Sequence, residues 1–206
     1  MTRCAILGAS GHGKVVAEIA ELNGYTKVDF FDDRWPELKN QEHWNVLGST
    51  QDLINEVSNY DLVVVAIGDN ATRLNKQRIL EMSGAIFKVL IHPSVTISKY
   101  SQVGNGTVIM ANVVVNSFAS IGNSCIINTS SIVEHDCVLS DGVHISPGAN
   151  LAGSVHIGER TWVGIGSQIK QLVSIGSDVV IGAGSTVIKN VVDDQVIVGN
   201  PAKCIK

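Results

Sequence analysis

Large aliphatic residues return at every sixth position through the second half of the chain. The series runs from Ile91 to Val187, and each of its seventeen positions holds Ile, Leu or Val. Four residues later a second series, from Val95 to Val191, holds only small or β-branched residues. This period predicts short strands joined by sharp turns, with three faces and about eighteen residues in each coil. Residues 91–206 are therefore predicted to form a parallel β-helix of five to six coils with a C-terminal cap.

Residues 1–90 lack the repeat and alternate between strand and helix patterns. The apolar run "CAIL" leads into a glycine-rich turn and a helix with an apolar face. "KVDFF" and "DLVVVAIG" predict a second and a third strand, and "TRLNKQRILEM" predicts a second helix. The order indicates a small parallel sheet of Rossmann-like type, with ligands expected at the carboxyl ends of its strands.

The three predicted strand ends carry candidate binding residues. The turn Gly8-Ala9-Ser10-Gly11-His12-Gly13 differs in spacing from the dinucleotide fingerprint, so it fits either a plain tight turn or a phosphate cradle at a helix start. Asp32 and Asp33 end the second strand, where a carboxylate commonly binds a ribose or base, and Gly68 ends the third. Their convergence favours nucleotide binding. Hydride chemistry is disfavoured, because residues 1–90 make up half of a full dinucleotide fold.

The repeat also predicts where the ionisable residues of "VEHDCV" point. Val133 and Cys137 are inward positions, so His135 and Asp136 belong to the outer surface or to a turn. A solvated face and an acid–base site both fit that placement. Cys137 fills a small inward position, which favours a core thiol over a covalent nucleophile.

Composition narrows the function classes. The formal net charge of −4 and the absence of a Lys/Arg block argue against a nucleic-acid partner. The N-terminal apolar run stops at Gly8, too short for a signal peptide or a membrane span, so we expect a cytoplasmic protein with no membrane partner. The four cysteines lack metal-ligand spacing, and no metal is expected.

Five motifs together carry a family resemblance. They are "GASGHGKV" at 8–15, "FDD" at 31–33, "VAIGDN" at 65–70, "NTSSIVEHDC" at 128–137 and "GNPAK" at 199–203. With them the whole chain resembles the hexapeptide-repeat sugar O-/N-acyltransferases of the sialic-acid O-acetyltransferase type. Within that family it is most similar to bacterial N-acetyltransferases acting on nucleotide-linked 4-amino-4,6-dideoxyhexoses. The resemblance implies a left-handed β-helix, acetyl-CoA as co-substrate, and a homotrimer with active sites between subunits.

The resemblance also implies residue roles. The general base falls on His135 and the following acid, which raises the basicity of the imidazole, on Asp136, where a relative has glutamate. The implied acetyl-CoA contacts are His144, Ile165 and Ala183, the last replacing a glycine of some relatives. The implied sugar-nucleotide contacts are Ser10, Gly11, His12, Asp32, Asp33 and Gly68. His144 also fits an exposed turn histidine, and the tail lysines Lys203 and Lys206 fit either CoA phosphates or an end cap.

The leading hypothesis is an acetyl-CoA-dependent N-acetyltransferase of a 4-amino sugar nucleotide, serving surface-glycan synthesis by direct transfer. One alternative acetylates a hydroxyl of a sialic acid or a related sugar with the same base. A non-enzymatic alternative binds a nucleotide sugar on a bare β-helical scaffold. The carrier nucleotide and the stereochemistry at C4 of the sugar stay open.

Overall fold

The structure, a computed structural model, describes residues 2–206. The chain forms two compact units that divide between Leu90 and Ile91. The first unit is a mostly parallel sheet with helices, and the second is a prism of three parallel sheets. The predicted fold class, a small Rossmann-like domain followed by a hexapeptide-repeat β-helix, is confirmed.

The first unit alternates strands and helices around a buried sheet. Strand β1 is RCAIL and β5 is LVVV, nearly continuous apolar runs that are typical of parallel strands covered on both faces. Among the described residues its elements are β1 (Arg3–Leu7), α1 (Gly11–Leu22), β2 (Lys27–Phe31), β3 (Asn40–Gln41), β4 (Trp44–Gly48), α2 (Thr50–Glu56), a 3₁₀ turn (Val57–Asn59), β5 (Leu62–Val65) and α3 (Asn70–Met82).

The strand order of this sheet is β3-β4-β2-β1-β5. Strands β4, β2, β1 and β5 run parallel, and β3 pairs antiparallel with β4 at the edge. From β1 the chain moves outward to β2 and β4, then returns to the other side of β1 as β5. The direction of winding therefore reverses between β1 and β5, and a ligand crevice is expected outside the carboxyl ends of these two strands.

Three elements of this unit, β3, β4 and α2, were not predicted from the sequence. Strand β4 is as long as β1 and β2, but only Val46 and Gly48 of its five residues are buried, so its apolar signal is weak. Helix α2 does carry a signal, because Ser49 and Asp52 form a reciprocal capping box. The sequence "STQD" could have located the start of this helix.

The second unit consists of two-residue strands at six-residue intervals. Val114 pairs with Thr96 and with Ile132, eighteen residues before and after it, so each coil contributes one strand to each of three sheets. In the described chain the strands are β6 (Leu90–Ile91), β7 (Thr96–Ile97), β8 (Gln102–Val103), β9 (Val108–Ile109), β10 (Val114–Val115), β11 (Ser120–Ile121), β12 (Ile126–Ile127), β13 (Ile132–Val133), β14 (Val138–Leu139), β15 (His144–Ile145), β16 (Asn150–Leu151), β17 (His156–Ile157), β18 (Trp162–Val163), β19 (Gln168–Ile169), β20 (Ser174–Ile175), β21 (Val180–Ile181) and β22 (Thr186–Val187).

The core of the prism follows the two predicted series. The aliphatic series is buried from Ile109 to Val187, whereas Ile97 in the first coil is 36% exposed. The first coil has a neighbouring coil on one side only, which explains the exposure. Hydroxyls of the small series bond to backbone inside the coil; Thr161 Oγ1, for example, donates to the Gly176 carbonyl at 2.7 Å. These bonds make polar residues acceptable in the core.

The repeat ends in a hairpin. Strand β23 (Val196–Gly199) extends the sheet of β21 in parallel, and β24 (Ala202–Cys204) pairs antiparallel with β23. The backbone of Val196 bonds to Lys206 and Ile205, which holds the tail against the last coil. This geometry favours an end cap, and a role for the tail lysines toward CoA phosphates stays a prediction.

Candidate functional site

An exposed imidazole–carboxylate pair lies on one corner of the prism. His135 and Asp136 follow β13 and precede β14, between the inward-facing Val133 and Cys137, both fully buried. The side chains of His135 and Asp136 are 59% and 55% exposed, and His135 Nδ1 lies 2.8 Å from Asp136 Oδ2. The predicted outward direction of both residues is observed.

The turn geometry fixes the carboxylate. A residue in the left-handed region recurs at every sixth position from Gly106 to Gly184, and Asp136 is one of these, with φ of 59°. Short polar residues such as Asp accept this conformation more readily than most others. The Asp136 N–H donates to the Ser117 carbonyl one coil below at 3.1 Å. The backbone of this corner is therefore held by the coil, and the imidazole lies beside a fixed acid.

Cys137 is a core thiol. Its Sγ donates to the Ala152 carbonyl at 3.2 Å, and burial raises the pKa of the thiol. A thiol that resists ionisation is a poor nucleophile. The observed environment therefore agrees with direct transfer rather than a covalent route.

The three residues expected to contact acetyl-CoA share one groove. His144, Ile165 and Ala183 line a cavity of about 370 Å³ on a different corner of the prism. Its other lining residues are Ser146, Pro147, Trp162, Gly164, Val180, Ile181 and Gly182. The lining is largely apolar, with exposed edges at Trp162 and Ile165. Such a surface suits the acyl-pantetheine part of a coenzyme.

His144 is held by two neighbours in this groove. Its ring stacks on that of Trp162, with centroids 6.0 Å apart and planes 10° from parallel. Its Nε2 lies 3.1 Å from Asn128 Nδ2, and Trp162 Nε1 donates to Ser146 Oγ at 2.6 Å. His144 is half-buried. The alternative of a freely exposed turn histidine is therefore wrong.

The imidazole pair and the groove do not meet within one prism. His135 lies in the turn between β13 and the sheet of β14. The groove residues lie in β15, β18 and β21 and in the turns that lead from these strands to the sheet of β16, β19 and β22. A complete face of the prism separates the two corners. The imidazole pair and the groove therefore lie on two different corners of the same chain.

In the first unit, the glycine turn lies at the switch point of the sheet. Gly8 has φ of +114°, and a Cβ there would lie 2.7 Å from the Ala66 carbonyl at the end of β5. Ser10 is the N-cap of α1, and its side chain makes no capping hydrogen bond. A Cβ on Gly11 or on Gly68 would meet open space. Ser10 and Gly11 thus lie at the N-terminus of α1 and Gly68 follows β5, which is where an open parallel sheet commonly binds phosphates.

His12 lies in the first turn of α1, next to the glycine turn. Its Nε2 is buried and makes no hydrogen bond to the described residues. Burial, followed by the nearby positive charge of Arg73, lowers the pKa of His12 to about 4. At neutral pH this imidazole is uncharged, and it offers one buried nitrogen to a ligand.

Asp32 and Asp33 are both bound to other parts of the unit. Asp32 accepts the Ala9 N–H at 2.8 Å and the Arg34 Nε–H at 2.8 Å, and the bonds from Arg34 lower the pKa of Asp32. Burial alone would raise the pKa of Asp33, but hydrogen bonds from Lys76 and Thr50 hold it at about 2. Both acids organise the strand ends, and direct contact with a ribose stays a prediction.

Several residues around these sites were not singled out from the sequence. Arg73 is 1% exposed and donates to the carbonyls of Ile67 and Gly68, which holds the loop after β5. Trp162 was missed, although it lies eighteen residues after His144 and so directly beside it on the same face. The coil length of eighteen residues is a signal from which Trp162 could have been predicted. No periodic signal could have found Arg73.

A larger cavity, about 580 Å³, lies elsewhere on the first unit and includes none of the residues that the resemblance implies as sugar-nucleotide contacts. Its lining contains Glu18, Glu21 and Glu42, and its single lysine, Lys14, pairs with Glu42. An acidic lining repels phosphates, so electrostatics favours the glycine-turn crevice for a nucleotide. Within residues 2–206 no cluster of His, Cys, Asp or Glu could hold a metal ion, and no helix is long and apolar enough to cross a membrane.

Comparison with known proteins identifies the family. A family model described as "PglD N-terminal domain" matches residues 3–80, and one described as "Bacterial transferase hexapeptide (six repeats)" matches residues 154–189. The acetyltransferase domain of PglB from Neisseria gonorrhoeae FA1090, solved with acetyl coenzyme A, is 38% identical, with 98% of each chain covered and a TM-score of 0.94. The chain belongs to the hexapeptide-repeat sugar acyltransferases. The predicted family is confirmed.

Two further sugar acyltransferases are similar to this chain. One is perosamine N-acetyltransferase from Caulobacter crescentus, solved as a His-to-Asn mutant with CoA and GDP-perosamine. It is 33% identical, with 100% of this chain and 98% of that chain covered and a TM-score of 0.95. The other is UDP-N-acetylbacillosamine N-acetyltransferase from Bacillus subtilis, 36% identical over 117 residues. That match spans 54% of this chain and 52%, about half, of the relative's length.

Proposed function

We propose that this sugar acyltransferase moves the acetyl group of acetyl-CoA to the 4-amino group of a nucleotide-linked 4-amino-4,6-dideoxyhexose. The observation that carries the proposal is the exposed His135–Asp136 pair, with 2.8 Å between Nδ1 and Oδ2. Two of the similar proteins, the perosamine and UDP-N-acetylbacillosamine N-acetyltransferases, are named for amino sugars, the first being solved with GDP-perosamine and the second named for a UDP-linked sugar. Two of the similar structures hold acetyl coenzyme A or CoA. Because acetyl-CoA is a cytoplasmic metabolite, we place the reaction in the cytoplasm, where it would supply surface-glycan synthesis.

The two units divide the substrates between them. We assign the nucleotide to the crevice of residues 1–90, where the N-terminus of α1 offers free N–H groups to a diphosphate and His12 offers a buried nitrogen. We assign acetyl-CoA to the groove of His144, Ile165 and Ala183. An apolar groove holds the pantetheine arm, and backbone contacts at Ala183 tolerate the loss of a glycine.

The geometry supports a direct transfer in which His135 is the base. With its proton on Nδ1, the imidazole donates to Asp136 and leaves the Nε2 lone pair for the substrate. The free amine attacks the thioester carbonyl, so a C–N bond forms while the C–S bond breaks. Nε2 takes the proton that the nitrogen loses, and Asp136 stabilises the imidazolium. The CoA thiolate leaves, and that proton is then available to it.

The separation of the imidazole pair from the groove supports a homotrimer with active sites between subunits. Since one prism places His135 and the groove on different corners, a neighbouring prism must bring its groove to His135. A mixture of His135→Ala and Trp162→Ala chains tests this directly when it is assayed at acetyl-CoA concentrations well below KM, where both variants are slow. Co-folded mixtures should then be more active than the sum of the two variants measured separately. Activity no greater than the sum of the two variants would rule out shared sites.

The decisive experiment is a thiol-release assay with acetyl-CoA over a panel of sugar nucleotides. The panel holds 4-amino sugars on UDP, dTDP and GDP, their 4-hydroxy counterparts, and a sialic acid. We expect release only with 4-amino sugars, and release with hydroxyl acceptors alone would favour the O-acetyltransferase alternative. Binding without release would favour the non-enzymatic one.

The variant His135→Ala tests the base. We expect its kcat to fall about a hundredfold or more, in line with general acid–base catalysis. His156→Ala is the matched control, since His156 is also an exposed histidine of the prism. A loss below tenfold for His135→Ala would end the general-base assignment.

A further inference from the structure

Gly153 lies on the same corner as His135, one coil further along. The Ser154 N–H donates to the His135 carbonyl at 2.9 Å, which fixes the register of the two turns. A Cβ built on Gly153 would lie 2.6 Å from both Cε1 and Nε2 of His135 and 3.2 Å from Nδ1, and these are its three nearest atoms. The imidazole therefore occupies the space that a side chain at position 153 would need.

This glycine differs from others in the prism. A Cβ on Gly158 would lie 2.4 Å from the Gly176 carbonyl carbon and from the Ser177 nitrogen, and one on Gly104 would lie 2.6 Å from Asn123 N. Those glycines let the backbones of successive coils approach each other. At Gly153 the nearest atoms belong to a side chain, and φ lies outside the left-handed region. The fold itself thus does not require glycine there.

The corner positions equivalent to His135 reinforce this difference. They recur every eighteen residues along one edge of the prism, and the ring of His135 lies against the next position in the series. The positions are Lys99, Ser117, His135, Gly153, Gln171 and Lys189. The single glycine of the series directly follows the histidine, where a bulkier neighbour would cover the ring.

We infer that Gly153 is a positioning residue for His135, which keeps Nε2 uncovered and the ring bound to Asp136. The inference rests on the proposed function, in which Nε2 takes the substrate proton. An added methyl group would overlap the ring, and the ring would turn away because a side-chain rotation is easier than a shift of the coil. That rotation would break the 2.8 Å contact between Nδ1 and Oδ2 and point Nε2 elsewhere.

The test uses Gly153→Ala in the full chain, with steady-state acetyl transfer and thermal unfolding measured together. We expect kcat to fall at least tenfold, with KM for acetyl-CoA within twofold and Tm within about 2 °C of the unmodified protein. Gly158→Ala is the matched control and should lower Tm strongly, because its methyl group meets backbone. Gln171→Ala, on the same edge, should change neither quantity.

A double-mutant cycle separates positioning from any other role. If Gly153 acts through the ring of His135, adding Gly153→Ala to His135→Ala should change the residual rate by less than twofold. A further tenfold loss in that background would overturn the inference, and so would a drop in Tm as large as that of Gly158→Ala.

Failure of the proposed base is distinguishable from failure of this inference. If His135→Ala keeps full activity, the base assignment fails whatever happens at position 153. If His135→Ala loses activity and Gly153→Ala keeps it, the base stands and the positioning role is wrong. If Gly153→Ala lowers kcat and its ¹⁵N NMR spectrum lacks the His135 Nδ1–H signal that the unmodified protein shows, both the base assignment and the positioning role are supported.

Discussion

The two units place their chemistry by different means. In the prism, the direction of a side chain follows from its position in a six-residue frame, and its neighbours follow from an eighteen-residue step. In the parallel sheet, the polar contacts join positions with no common period: Asp32 binds Ala9, 23 residues away, and Asp33 binds Lys76, 43 residues away. In the periodic prism the sequence predicts which side chains reach the surface, whereas in the parallel sheet it predicts only where the strands lie.

The largest effect should come from truncating the prism core. Leu151 is fully buried in a middle coil, and Leu151→Ala should lower the free energy of unfolding by about 2–5 kcal/mol. Ile97 occupies the same series in the first coil but is 36% exposed, so Ile97→Ala should cost less than about 1 kcal/mol. Urea unfolding measures the free energy of unfolding of both variants. Equal losses would contradict the explanation that the first coil is exposed on one side.

The next effect concerns Arg73, the buried guanidinium of helix α3 in the first unit. Arg73→Met leaves the Ile67 and Gly68 carbonyls without their donor, and we expect a loss of about 2–3 kcal/mol together with weaker binding of the sugar nucleotide. Arg78→Met, at an exposed position on the same helix, should stay within about 0.5 kcal/mol. Calorimetry and titration with the nucleotide sugar check both quantities. An Arg73→Met protein of normal stability would show that the guanidinium is not needed to hold this loop.

A pH effect should distinguish the two units. The pKa of His12 falls from its ordinary value of 6.5 to about 4 on folding, so between these values the unfolded chain binds a proton that the folded chain does not. The contribution of uncharged His12 to the free energy of unfolding is complete above about pH 6.5 and is lost as pH falls to about 4. Trp162→Phe leaves Trp35 and Trp44 to report the first unit by fluorescence.

In that background, the urea midpoint of the first unit should fall between pH 6.5 and 4, and adding His12→Gln should flatten the change. The low pKa of Asp33, about 2, acts in a separate window below about pH 4, where protonation removes its bonds to Lys76 and Thr50. A midpoint with the same slope in the presence and absence of His12 would contradict the assignment.

The smallest effect concerns the coenzyme groove. Trp162→Ala removes the ring that stacks on His144, and we expect KM for acetyl-CoA to rise about tenfold while kcat changes less. Trp162→Phe keeps an aromatic ring and should lie within about threefold of the unmodified protein. Steady-state kinetics at varied acetyl-CoA concentrations measures both constants. A change confined to kcat would show that Trp162 acts in the chemical step rather than in acetyl-CoA binding.

What the sequence predicts also differs between the prism and the parallel sheet. The outward placement of His135 and the burial of Cys137 came directly from the hexad frame, because burial there depends on local register. The shared groove of His144, Ile165 and Ala183 came from family resemblance, and their meeting in one cavity supports those roles. The carboxylates of Asp32 and Asp33 were predicted at the right strand ends, but their partners depend on tertiary contacts that no local pattern contains.

The antiparallel strand β24 has a consequence for how these prisms associate. Parallel coils present evenly spaced hydrogen-bonding groups to the next coil, whereas an antiparallel pair alternates close and wide spacings. A second prism arriving end-on at this face would find donors and acceptors out of step with its own. Addition of a further parallel strand to this sheet is therefore disfavoured at β24.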